Sequence, residues 1–334
     1  MKRVLFVRLS AMGDVVQGLG AVAALRQVRP DWHATFVTQE PWADLVRAAD
    51  GVDRVVTFAR HGGLSAVWRL RRELRAERYD VAIDLQGNWK SAFVARLSGA
   101  RTCIGMAAAW RQEPMSRVLL RRTVACAAVP HPARAAFELV RSLAPEAPFR
   151  RPRLVATAVA LAAERRAIAA AGIAVDAPFR VVVVTDPADP RALPQGIVES
   201  MSRDAQRPVV LLFGPAEAHL AGVDGVASVR HGLGEVRRLI ALGQIVRANG
   251  GDVVGPDQGA THVLAAAGAE CRVLFGAQDP RRTSPAAAIA LVHPEPPACA
   301  PCRRRRCTHP DGPVCMQFLP ERGCRMPTGL PDEG

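Results

Sequence analysis

Short apolar runs alternate with amphipathic stretches along most of this chain, and that alternation restricts the fold to an α/β class built on wound parallel sheets. In the first half the runs predict strands over 3–8, 33–38, 53–57, 80–84 and 101–105. Helices are expected between them, over 14–28, 40–48, 64–77 and 89–98. The stretch LAPEAPFRRPRL, residues 143–154, has three prolines and no periodicity, and it reads as a linker. A helix over 157–171 and strands over 180–184, 209–213, 227–229, 252–254 and 272–275 then repeat the scheme. At 334 residues the chain suits two domains, 1–150 and 151–298, followed by a cysteine-rich tail at 299–334. Two such halves imply a cleft, where ligands bind.

In a parallel sheet, chemistry gathers on the loops at the carboxyl ends of the strands. The first such loop follows Val4–Val7 in MKRVLFVRLSAMGDVVQGLG and carries Ser10, Met12, Gly13 and Asp14. Asp14 is a candidate general base; its plainer reading is a cap on the next helix. A second loop, in YDVAIDLQGNWKS, places Asp84, Gln86 and Gly87 at a strand end and Lys90 one helical turn beyond. In the second half, GDVVGPDQGATHVLAAAG ends a strand near Val254 and starts a helix near Ala260. Gly259 there permits close backbone approach, and the free N–H groups of Ala260, Thr261 and His262 suit a diphosphate.

The formal net charge is +13, and residues 58–125 alone hold thirteen Lys/Arg against five Asp/Glu. Such a field attracts polyanions: a phosphorylated acceptor, an anionic membrane surface or nucleic acid. Aromatic residues make up only 5% of the chain, which argues against a single-strand nucleic-acid reader. The apolar runs are strand-sized, too short to span a bilayer, and the start does not read as a signal peptide, so a cytoplasmic location is expected.

In order and spacing these segments resemble the ADP-heptose:lipopolysaccharide heptosyltransferases, glycosyltransferase family 9. The resemblance rests on S-x-M-G-D at 10–14, Y-D-x-x-I-D-x-Q-G-x-x-K-S at 79–91 and D-x-G-x-x-H at 257–262. FGPAEAH at 213–219 is similar to a family turn that puts Glu217 near the nucleoside. FGAQDP at 275–280 matches the family's next loop, with Ala277 in place of proline. Arg191 stands where the family has a lysine, Leu193 replaces a tryptophan, and Gln258 replaces a serine or threonine. Arg111, Glu113 and His131 fall on a further family segment.

The resemblance implies a GT-B fold, two Rossmann-like doubly wound domains facing across a cleft, with the C-terminal residues crossing back. It implies inverting, metal-independent transfer of heptose, or a related sugar, from an ADP-sugar to lipopolysaccharide inner core. Asp14 would be the base. Arg191, Glu217, Asp257, Gly259, Ala260, Thr261 and His262 would bind the donor. Ser10, Met12, Gly13, Gln86, Lys90, Arg111, Arg121 and Arg122 would bind an anionic lipopolysaccharide precursor, with peripheral contact to the inner membrane. No cofactor, catalytic metal or nucleic-acid partner is expected. The alternative is a degenerate relative that binds a nucleotide sugar or anionic glycolipid without transferring sugar.

Two signals compete. Gly18-Leu-Gly20-Ala-Val-Ala23 fits a dinucleotide fingerprint, but it lies about ten residues past the strand, whereas a pyrophosphate turn must follow the strand directly. The tail holds Cys299, Cys302, Cys307, Cys315 and Cys324, with Arg303–Arg306 between the second and third. Similar cysteine-rich tails occur in some family members. Four thiolates can bind zinc, yet the spacing is not that of a zinc ribbon. The expectation is therefore reduced, packed thiols, with a structural metal or tail disulfides as the alternative.

Overall fold

The computed structural model describes every residue except 60–61, 127–130, 204–206, 215–216, 218–224, 231–234, 329 and 332–334. The chain forms two compact units, one built on Met1–Arg153 and the other on Leu154–Gly329. Among the described residues, no helix is long and apolar enough to cross a membrane.

The first unit runs β1 (Arg3–Val7), α1 (Met12–Val28), β2 (His33–Gln39), α2 (Ala43–Arg47), β3 (Arg54–Phe58), α3 (Gly63–Ala76), β4 (Val81–Asp84), α4 (Trp89–Leu97), β5 (Thr102–Met106), β6 (Arg122–Val124) and α5 (Pro132–Arg141). Its strands are all parallel, in the order β3-β2-β1-β4-β5-β6. Val4, Leu5, Phe6 and Val7 are fully buried, as expected of a central strand covered on both faces. Helix α1 begins two residues earlier than predicted, so Gly13 and Asp14 lie in its first turn. Gly18 and Gly20 are buried inside that helix, which excludes the dinucleotide turn. A Cβ on Gly20 would sit 2.2 Å from the Arg150 carbonyl oxygen, so this glycine serves close packing. The expected linker is partly core: Ala144, Ala147 and Phe149 are buried, and Phe149 meets Phe137 of α5 edge-on at 5.3 Å.

The second unit runs α6 (Ala158–Ala170), β7 (Arg180–Val184), α7 (Gln195–Arg203), β8 (Val209–Phe213), β9 (Ala227–Arg230), α8 (Val236–Ala248), β10 (Asp252–Pro256), α9 (Gly259–Ala266), β11 (Glu270–Phe275), α10 (Pro280–Thr283), β12 (Ile289–Val292) and β13 (Cys324–Arg325). The order is β13-β12-β11-β10-β7-β8-β9. All pairs are parallel except β12 with β13. Without β13, the order repeats that of the first unit. The tail is no separate body, because Cys315, Met316 and Phe318 pack with Leu274 and Leu291 in the core. In each unit strand order reverses once, between β1 and β4 and between β7 and β10, and such switch points are where open α/β sheets bind ligands.

Candidate active site

At the first switch point the loop after β1 is stitched to the loop after β4. Gln86 Oε1 accepts the Leu9 N–H at 2.8 Å, and its Nε2 lies 3.5 Å from Ser10 Oγ. Arg8, the residue at which β1 stops being apolar, lays its guanidinium across the gap. It donates to the Leu85 carbonyl at 2.7 Å and the Ser10 carbonyl at 3.2 Å, and it pairs with Asp14 Oδ2. The Arg8 side chain is 5% exposed and that of Asp14 is 34% exposed, so a buried cation orients an accessible carboxylate. The N-cap of α1 is Ala11, with no side-chain cap, so Asp14 is not the capping residue. It sits in the first turn, where the helix dipole favours an anion.

Beneath this edge lies a second pair, Arg111 and Asp84, 2.6 Å apart and both fully buried. Asp84 Oδ1 accepts the N–H groups of Gln86 and Gly87, each at 3.0 Å, and Arg111 Nε donates to Ser116 Oγ at 2.8 Å. Glu113 accepts the Trp89 N–H at 2.6 Å, and its own N–H donates to the Gly87 carbonyl at 3.1 Å. Arg111 and Glu113 therefore hold the Gln86–Gly87 turn from below. Arg111, expected in an acceptor socket, is instead buried against Asp84, with its Nη1 buried and unpartnered. Asp84 is likewise internal. His131 caps α5, accepting the Ala133 N–H at Nδ1. Lys90, Arg121 and Arg122 remain exposed, while Ser10, Met12 and Gly13 are half-buried.

The second switch point is built from the loops after β7 and β10. Arg191 grips Asp189 with two nitrogens, at 2.9 and 2.6 Å, and donates to the Asp257 carbonyl at 3.1 Å. Gln258 Nε2 completes the bridge by donating to Asp189 Oδ2 at 3.2 Å. Burial opposes the charge on Asp189, but the hydrogen bonds and charge of Arg191 outweigh it and hold this carboxyl below its ordinary range. The same hydrogen bonds push Arg191 upward. Gln258 is thus no bare loss of a hydroxyl; it ties the two loops together.

Helix α9 opens here with no side-chain cap, and its first internal bond comes only at the His262 N–H. The amides of Gly259, Ala260 and Thr261 precede that bond and face the capless end. Thr261 contributes its amide alone, because its buried hydroxyl donates to the Pro256 carbonyl at 2.9 Å. His262 Nε2 lies 3.2 Å from Asp257 Oδ1, while its Nδ1 is buried without a partner. The hydroxyl of Thr185, one residue past β7, is also buried and unpaired. Such atoms in a loop cluster are what a bound ligand would satisfy. Glu217 is half-buried, with one carboxylate oxygen too close to Gly214 for a Cβ there.

Sequence reasoning missed Arg8, Asp189 and Thr185. Arg8 was legible as a charge ending an apolar strand, and Asp189 as an acid two residues before the candidate arginine. The packed-thiol expectation fails for Cys299, Cys307 and Cys324, which are exposed; among the five tail cysteines only Cys315 is buried.

The profile of glycosyltransferase family 9 (heptosyltransferase) matches residues 67–311, most of the chain. The chain belongs to glycosyltransferase family 9. Lipopolysaccharide heptosyltransferase 1 of Pseudomonas aeruginosa is 29% identical over 129 residues, 36% of either chain, so the match spans about a third of that relative's length. A family 9 glycosyl transferase from Veillonella parvula matches with a TM-score of 0.74 at 18% identity, covering 87% of this chain and 85% of its own. The E. coli heptosyltransferase WaaC, solved with ADP-2-deoxy-2-fluoro heptose, matches with a TM-score of 0.66 at 22% identity, covering 87% and 93%. These likenesses establish the fold, two Rossmann-like units of the GT-B class.

Proposed function

We propose that this family 9 protein is an inverting, metal-independent heptosyltransferase, moving heptose or a related sugar from an ADP-linked donor to an anionic lipopolysaccharide inner-core acceptor. The observation that carries this reading is Asp14, an accessible carboxylate at a switch point, held by a buried arginine. Asp14 takes the proton of the acceptor hydroxyl as that oxygen attacks the anomeric carbon from the side opposite the diphosphate. The new glycosidic bond forms as the bond to the diphosphate breaks, and ADP leaves with the electron pair.

The donor half of the reaction falls to the second switch point. The capless amides of α9 would receive the diphosphate, with Arg191 holding its loop against Asp257 and adding positive charge nearby. The ligand names of WaaC support ADP as the nucleotide. Exposed Lys90, Arg121 and Arg122 offer cations to phosphates or carboxylates of the acceptor, at the cytoplasmic face of the inner membrane.

The test pairs calorimetry with a transfer assay. Wild-type protein should bind ADP and ADP-heptose saturably and insensitively to chelator. Asp14→Asn should bind ADP as well as wild type while kcat falls about 10³-fold. Substantial residual turnover in that variant would overturn the base assignment. ADP binding without turnover by the wild type would select the non-transferring reading instead.

A further inference from the structure

Four of the five tail cysteines border one cavity. Cys299, Cys302, Cys307 and Cys315 line a single cavity, with Pro190 and Ala277 in its wall. The fifth, Cys324, lies apart on β13.

Packing does not explain this group. A thiol kept as a small apolar filler is buried. Here Cys299 and Cys307 are exposed and Cys302 is half-buried, yet all three line the same cavity as buried Cys315. The cavity is backed by two loops of the second unit. Pro190 immediately precedes Arg191, and Ala277 lies in the loop after β11. The Arg303 N–H donates to the Ala277 carbonyl at 2.7 Å, and its guanidinium lies 3.6 Å from Asp279. Gly276 lacks the Cβ that would sit 2.6 Å from Cys315 Sγ, which lets the sulfur approach the loop.

We propose that Cys299, Cys302, Cys307 and Cys315 bind one thiophilic divalent cation, zinc or ferrous iron, in a tetrathiolate centre that fastens the tail to the loops at Pro190 and Gly276. The two-residue spacing of Cys299 and Cys302 gives a short chelate, and soft sulfur donors select such metals over magnesium or calcium. As the side chains stand, no three His, Cys, Asp or Glu groups among the described residues are close enough to hold an ion. Binding therefore draws the exposed thiols of Cys299 and Cys307 inward. Each of the four thiols gives up its proton to solvent, so the divalent ion with four thiolates carries a net charge of −2. Arg303, Arg304, Arg305 and Arg306, between the second and third ligands, supply cations to offset it. The centre is structural and takes no part in sugar transfer, so its failure and that of the transferase reading are separately visible.

The full-length protein, purified under reducing conditions and stripped with chelator, is titrated anaerobically with zinc, ferrous iron, cobalt and magnesium. The expected result is saturation at one thiophilic ion per chain, with four thiols shielded from a thiol reagent. Cobalt should give the intense visible bands of tetrahedral thiolate coordination, and magnesium should not bind. Elemental analysis of protein purified without chelator distinguishes zinc from iron. Cys302→Ser and Cys307→Ser replace side chains outside the core, and in either variant bound metal should fall from about one per chain to near zero. Cys324→Ser should keep it. Absence of saturable binding, unchanged binding in both serine variants, or a disulfide among these four under reducing conditions would overturn the proposal.

Discussion

The two units share a strand order and place an arginine bridge at the switch point, but they bury that bridge to different depths. In the first, the Arg111 and Asp84 side chains are fully enclosed, and Arg8 is nearly so. In the second, Arg191 and Asp189 keep 33% and 24% of their side-chain surface. An enclosed pair has no water to replace a lost partner, so its geometry is held stiffly and breaking it costs several kcal/mol. A pair open to solvent exchanges partners cheaply. The first switch point holds its bridge enclosed, whereas the second leaves its bridge open to solvent.

The largest test of this contrast removes the enclosed cation. Arg111→Met should lower unfolding free energy by about 3–5 kcal/mol in urea titration, because Asp84 is left charged and alone. Asp84→Asn combined with Arg111→Met should recover much of that loss; a single variant as stable as wild type would erase the distinction between the units. Next in size is Arg8→Met, which frees Asp14 to point elsewhere. Here kcat should drop about 10²-fold with ADP affinity unchanged, and Arg8→Lys should restore part of it. Equal losses in kcat and ADP affinity would show that Arg8 acts on the whole unit instead.

On the open side, Gln258→Ala removes one uncharged donor from the Asp189 carboxylate, and calorimetry should show ADP binding weakened about fivefold, or about 1 kcal/mol. The smallest effect concerns pH. Because the folded protein holds Asp189 below its ordinary value, the carboxylate adds stability above the unfolded pKa of 3.8, and that contribution fades as pH falls through the lower folded value. The stability gap between wild type and Asp189→Asn should thus be present at neutral pH and close in acid. A gap that widened on acidification would reverse the assigned sign.

Much of the fold could be read from periodicity, because central strands such as Val4–Val7 and Val181–Val183 are continuous apolar runs covered on both faces. Strands β6 and β13 carried no such signal: one spans three residues at a sheet edge and the other two, and Arg122 and both residues of β13 are exposed. At the candidate site, Asp14 and the Asp257–His262 element stood out because a carboxylate or glycine interrupts an apolar strand end. The role of Arg111 was illegible for a physical reason. Its partner is 27 residues away, and sequence alone does not distinguish an arginine on a solvated face from one that neutralises a buried acid.

The smallest element, β13, closes one edge of the second unit's sheet. A terminal strand in a sheet normally offers a row of open backbone donors and acceptors on which another chain can build. Here Cys324 and Arg325 occupy that row, antiparallel to Val292 and Leu291, and the strand then stops. Two residues are too few to template further growth, and an exposed arginine at the rim repels its own kind. The tail thus covers the edge of β12, and a chain shortened ahead of it would leave the backbone groups of Leu291 and Val292 open on that side.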